Sequence, residues 1–213
     1  MLLIGDVHGC LRTLKALIRK CPKDDVCFVG DLIDRGPDSA GVIRYVRDKG
    51  WDCVQGNHEL MSYSFEYRHD WCHPRNGGQD TIDSYKKNTD IWDEDRAWLK
   101  ALPFVKEYLD LKNEDGRSLI VTHSGIYDKW CLTNPDELVW NRKQPMDLEG
   151  KFNVFGHTPV EKPQITNHYA LIDTGAFLGT PKWKKMYPDV KGTFGLTAFQ
   201  FPEMKVFFQE TID

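Results

Sequence analysis

Residues 1–9 read MLLIGDVHG. Met1 to Ile4 form a short continuous apolar run, which is the pattern of a strand buried on both faces, and the chain turns polar immediately afterwards with Asp6 and His8. The same arrangement recurs downstream: CFV then Gly-Asp at 27–31, DCVQ then Gly-Asn at 52–57, LIVT then His at 119–123, and NVF then Gly-His at 153–157. Each time, a metal-competent side chain stands where apolar burial stops.

Between these runs the periodicity changes. Residues 10–20 place Leu11, Leu14, Leu17 and Ile18 on one helical face, and Cys21-Pro22 ends the pattern. Asp38 to Lys49 reads as a second helix stopped by Gly50, and WDCVQ at 51–55 as a third strand. Further strands are expected at 118–122, 152–155, 169–172, 194–200 and 204–210, while 60–110 reads as more helical and polar, an inserted cap or flank. Strands alternating with crossover helices define an α/β (α+β) fold. With 213 residues and neither a repeat nor a long linker, one domain is expected over 1–213.

Composition removes several classes of function. Lys and Arg total 28 against 32 Asp and Glu, for a net charge of -4, and no basic run suggests nucleic acid as a partner. No apolar run approaches the ~18 residues of a membrane helix, and the opening run is too short for a signal peptide. Six cysteines without paired spacing are expected as reduced thiols in a cytoplasmic setting, with Cys10 a small buried residue opening a helix.

At the C-terminal ends of parallel strands, loops converge on one crevice. Asp6, His8, Asp31, Asn57, His123 and His157 are therefore expected to meet although far apart in sequence. Two Asp, one Asn and three His, without thiolate, suit catalytic divalent ions better than structural zinc. Six donors exceed one tetrahedral ion and suit two ions about 3.5–4 Å apart, with one carboxylate bridging and a shared water made acidic enough to attack. Asp173 obeys the same strand-end pattern.

GDVHG at 5–9, GDLIDRG at 30–36, GNHE at 56–59, THSG at 122–125 and FGHT at 155–158, taken in order, resemble the phosphoprotein phosphatase family of metallophosphoesterases. VWNR at 139–142, the Asn-Gly-Gly run at 76–78 and LIDTGA at 171–176 resemble its short bacteriophage lambda and bacterial branch. That resemblance implies a calcineurin-like β-sandwich of two mixed sheets flanked by helices, and a dinuclear centre that hydrolyses phosphomonoesters. It implies Asp6, His8 and Asp31 around one metal, and Asp31, Asn57, His123 and His157 around the other. Mn2+ is the expected ion, with Fe, Zn, Ni or Mg as alternatives. His58 is cast as the general acid oriented by Asp34, Arg35 and Arg142 as phosphate grips, Asn57 as a further substrate contact, and Asp173 as supporting structure.

The chemistry of these residue types agrees. An imidazole beside a carboxylate keeps its proton to higher pH, and guanidinium forks match phosphate oxygens. The expected substrates are phosphorylated proteins or peptides, with phosphoserine and phosphothreonine first and phosphotyrosine next. The alternative is a bis(5'-nucleosyl)-tetraphosphatase, because RGP after GDLID also resembles that relative. Its symmetrical members tend to carry a small residue in place of Asp34 and GNHD in place of GNHE. His69 and His73 are expected in a loop, and His168 at the surface.

Overall fold

Leu2–Ile4 forms strand β1, with all three side chains buried. The computed structural model describes residues 1–63, 74–88 and 92–213. The remaining strands are β2 (Val26–Phe28), β3 (Asp52–Cys53), β4 (Val105–Lys112), β5 (Ser118–Thr122), β6 (Lys151–Phe155), β7 (Gln164–Ile165), β8 (Tyr169–Leu171), β9 (Gly195–Gln200) and β10 (Lys205–Glu210). The helices are α1 (Leu11–Lys20), α2 (Ser39–Lys49), α3 (Asn57–Tyr63), α4 (Gln79–Asn88), α5 (Trp92–Ala101), α6 (Pro135–Trp140) and α7 (Pro181–Met186).

The strands form two five-stranded sheets, ordered β10-β9-β1-β2-β3 and β4-β5-β6-β8-β7. Both are mixed: β1, β2 and β3 run parallel, as do β5, β6 and β8, while antiparallel strands β9 and β10 extend one side of the first sheet and β4 and β7 form the two edges of the second. This is the expected sandwich. Alternation along β1 explains how one strand serves two cores, because neighbouring side chains point to opposite faces. Leu3 packs between the sheets with Val121, Phe152, Val154 and Phe199, while Leu2 and Ile4 pack with Leu14, Leu17 and Ile43 from α1 and α2.

Sequence pattern and structure part company at 105–112, expected as part of the polar helical flank and found as β4 at a sheet edge. Its pairing with β5 shifts register between Tyr108 and Lys112, so the inward residues Tyr108 and Leu111 are three apart. A bulge of this kind hides the period-two signal of a strand. The expected third strand is shorter than WDCVQ, only Asp52–Cys53 being paired. Gly50 caps α2 with φ of 63°, the left-handed backbone that glycine adopts at least cost. Cys10, Cys21, Cys27, Cys53 and Cys131 are free. His69, His73 and Cys72 lie outside the described residues. Among the described residues, no helix is long and apolar enough to cross a membrane.

Helix α1 begins directly behind the GDVHG turn, yet its cap residue Cys10 makes no side-chain capping bond. The orphan N–H groups are met from the far end of the sequence: Arg12 N and Thr13 N donate to the Asp213 carboxylate at 2.9 and 2.8 Å. A carboxylate there also complements the helix dipole. Asp213→Ala is expected to destabilise the protein by about 1–2 kcal/mol, read as a lower urea midpoint.

Candidate metal centre

The strand-end turns aim their side chains inward by unusual backbone. His8, Asp31, Asp34, Arg35 and His157 all have positive φ, between 45° and 72°, and among the described residues the only other non-glycine residue to do so is Met204. Each such residue is sterically disfavoured, and strain of this kind persists only where the surroundings hold it. Two glycines make room for the carboxylates. A Cβ on Gly56 would meet Asp31 Oδ1 at 2.1 Å, and one on Gly156 would meet Asp6 Oδ1 at 1.9 Å.

The result is a buried cluster centred on Asp31. Its Oδ2 lies 3.4 Å from His8 Nε2 and 3.9 Å from His58 Nε2, while Oδ1 lies 3.4 Å from His123 Nε2. Two groups of possible metal donors share this carboxylate: His8, Asp31 and His58, and Asp31, His123 and His157. His58, read from sequence as an acid, is therefore also within the donor geometry of the first group. Asn57 Oδ1 sits 2.9 Å from His123 Nε2 and 3.0 Å from His157 Nδ1, and Asp6 Oδ2 accepts from His157 N at 3.0 Å.

Two imidazoles are held in the tautomer a metal requires. His8 Nδ1 and His123 Nδ1 each lie 2.8 Å from a backbone carbonyl, of Ile33 and Val29, so both donate there and each Nε2 presents its lone pair inward. Asp6 Oδ1 and His157 Nε2 are buried without a hydrogen-bond partner. Buried polar atoms are normally satisfied. Orphaned oxygen and nitrogen atoms among neutral imidazoles and carboxylates fit a pair of divalent cations.

The titration behaviour points the same way. Burial, with the charges of Asp173 and Asp31, raises Asp6, and burial with Glu59 raises Asp31. Burial pushes Asp173, which is 1% exposed, up to about 6. Burial, then the charges of Arg35 and His58, lowers His8; burial and His157 lower His123; burial and Arg142 bring His157 down to about 3. At neutral pH the imidazoles are thus neutral, ready to donate lone pairs.

Around this cluster, His58 Nδ1 lies 2.7 Å from Asp34 Oδ2, both side chains being fully buried. Thr81 from α4 donates to Asp34 Oδ1 at 2.6 Å. Arg35 is half-buried, its Nη1 donating to His8 Nε2 at 2.9 Å and its guanidinium lying 4.4 Å from the Phe177 ring centroid. Gly77 of the Asn-Gly-Gly turn accepts from Arg35 N at 3.1 Å, so that turn seats the arginine. Arg142 is exposed beside His157, on a loop anchored where Asn141 Nδ2 donates to Ser124 Oγ at 2.7 Å and Gly125 O at 3.0 Å. His168 lies on the surface loop outside the cluster, next to Asn167.

Sequence reasoning missed Glu59. Its carboxylate accepts from the backbone N–H of Asp31 and Gly56 at 2.8 Å and of Leu32 at 2.9 Å, binding two strand-end turns together. Its place three residues after Gly56, just inside α3, is the acidic half of a capping box, and that spacing was the available signal. Thr81 carried no such signal, because its partner Asp34 is 47 positions away.

A two-sheet sandwich with a shared carboxylate between two donor groups defines a metallophosphoesterase. The model of the calcineurin-like phosphoesterase family matches residues 1–183, and the chain belongs to that family. It is 28% identical to the asymmetrical bis(5'-nucleosyl)-tetraphosphatase of Oceanobacillus iheyensis, over 94% of this chain and 88% of that one. It is also 28% identical to serine/threonine-protein phosphatase 1 of Salmonella typhimurium, over 83% of this chain and 86% of that one. A symmetrical bis(5'-nucleosyl)-tetraphosphatase from Hamiltonella defensa is 40% identical over 60% of this chain, but the match spans only 45% of that relative's length. The fold matches a solved serine/threonine phosphatase from Saccharomyces cerevisiae with a TM-score of 0.62 and 14% identity, over all of this chain and 80% of that one.

Two outcomes are expected. In metal-free protein, Asp173 has a raised folded pKa, so its contribution to stability is complete below about 3.9 and is lost as pH rises through about 6. Asp173→Asn should therefore gain on the parent, by on the order of 1–3 kcal/mol, between pH 4 and 7 in chelator-treated unfolding titrations. Glu59→Gln should cost about 1–3 kcal/mol and weaken manganese binding, read by calorimetry, because it removes an acceptor from a buried N–H.

Proposed function

We propose that the protein is a metal-dependent phosphomonoesterase acting on phosphoserine and phosphothreonine in proteins or peptides. Asp6, His8 and Asp31 would hold one divalent ion, and Asp31, Asn57, His123 and His157 the other, with Mn2+ the first candidate for both. When bound, two such ions supply Lewis acidity to the phosphoryl oxygens and a nucleophile from water at neutral pH.

The buried Asp34–His58 pair carries this reading. A serine or threonine alkoxide is a strongly basic leaving group and needs a proton as the P–O bond breaks. A nucleotide phosphate leaves far more readily, so an imidazole held at 2.7 Å by a fully buried carboxylate gains most from an alkyl ester. Arg35 would grip phosphate oxygens from its seat between His8 and Phe177, and Arg142 from the rim beside His157. Asn57, between two imidazoles, would add an amide contact near the phosphoryl group.

A second reading, hydrolysis of dinucleoside tetraphosphates, is favoured by the O. iheyensis relative, whose match runs nearly the length of the chain. The two readings share the metal centre and differ in the leaving group.

Hydrolysis of a phosphoserine peptide, p-nitrophenyl phosphate and diadenosine tetraphosphate, with and without manganese, separates them. Manganese-dependent release from the peptide with little nucleotide cleavage is the expected result. His58→Asn should lower kcat on the peptide by about 10²–10⁴-fold with metal content retained, and should affect p-nitrophenyl phosphate much less, since nitrophenolate leaves unaided. Equal losses on both substrates would remove His58 from the acid role.

A further inference from the structure

Beside the candidate metal cluster, on the Arg35 side, lies a cavity of about 370 Å³ lined by Arg35, Phe177, Leu178, Trp183, Tyr187 and Val190, together with Arg75 and Asn76. Its aromatic members form one stack. Phe177 meets Trp183 edge to face at 4.9 Å, and Trp183 lies nearly parallel to Tyr187, at 11° and 5.6 Å between centroids. The Trp183 indole N–H donates to Arg35 O at 2.9 Å, so the shelf is tied to the arginine that also touches His8. Tyr187 and Val190 are 46% and 48% exposed. A contiguous apolar surface left open to water beside a reactive centre is the mark of a binding site.

Charge narrows the occupant. The chain carries a net -4, yet residues 181–191 hold Lys182, Lys184, Lys185 and Lys191 against Asp189 alone. Lys182 pairs with Asp80, while Lys184, Lys185 and Lys191 are exposed on the segment that carries Trp183, Tyr187 and Val190, and Arg75 lines the cavity itself. This basic rim complements an acidic ligand. Leu178 and Val190 add apolar lining beside the rings, so a large apolar side chain is buried there without leaving a polar group of its own unpaired. Because Arg35 both contacts His8 and lines the shelf, the shelf begins one side chain from the metal cluster, within reach of the residue next to a phosphorylated one in an extended peptide.

We infer that the shelf selects phosphopeptides with a large apolar or aromatic residue beside the phosphorylated residue, in an acidic context. The inference rests on the protein phosphatase reading. The specificity-determining residues are Tyr187 and Val190, with Lys184 and Lys185 favouring acidic flanks.

The test uses the manganese-loaded full chain and two phosphoserine peptides of acidic background that differ only in Phe or Ala beside the phosphoserine. Diadenosine tetraphosphate serves as a third substrate. The expected kcat/KM ratio, Phe over Ala, is about tenfold. Tyr187→Ala should bring the ratio close to one, Tyr187→Phe should keep it, and Lys184→Glu with Lys185→Glu should raise KM for both peptides. A variant that merely folds poorly would lose both peptides alike and keep the ratio, which counts against the shelf. Equal cleavage of both peptides by the parent, or a ratio unmoved by Tyr187→Ala, overturns the inference while the phosphatase reading stands. Cleavage of diadenosine tetraphosphate with neither peptide hydrolysed overturns that reading and the peptide occupant with it.

Discussion

Carboxylates taken out of water resist ionisation, and those that share a site repel one another as well; the centre of this protein is organised around that cost. Asp6, Asp31 and Asp173 are each no more than 2% exposed and raise one another's proton affinity, or have it raised by burial. The imidazoles packed against them are driven to the neutral form, so they cannot supply the missing positive charge. Arg35 supplies part of it from the side. Protons or a cation within the cluster can balance what remains, and the donor set is one that divalent metals take.

Holding such a cluster together demands a rigid frame. The two sheets meet through Leu3, Val121, Phe152 and Phe199, and this core fixes the strand ends from which the turns depart. Left-handed backbone at His8, Asp31, Asp34, Arg35 and His157 then turns side chains inward at a steric cost that the packed strands can bear. Glu59 completes the frame by gathering three backbone N–H groups from two turns onto one carboxylate.

Arg35 joins the donor cluster to the apolar shelf and the Asn-Gly-Gly turn. Its guanidinium touches His8 and lies over Phe177, its carbonyl receives Trp183, and its N–H reaches Gly77. The Arg35 guanidinium, the candidate metal donors and the apolar shelf are therefore coupled through one residue. In the proposed reading, a substrate filling the shelf would press on the same residue that would hold its phosphate.

Much of this was legible in the sequence, because strand ends are written in one dimension. Apolar runs followed at once by Gly-Asp, Gly-Asn or Gly-His mark where burial stops, and crossover helices announce parallel strands, so the α/β character and the residues standing at the strand ends could be read directly, while the two-sheet sandwich followed only from the family resemblance of those motifs. Strand β4 was not legible, since its bulge breaks the alternation that identifies a strand. The Thr81–Asp34 bond, the capping of α1 by Asp213 and the shelf joining Trp183 to Arg35 were decided by tertiary structure alone. Each pairs residues far apart in the chain, and nothing in local periodicity encodes which distant partner a buried donor or an exposed ring will meet.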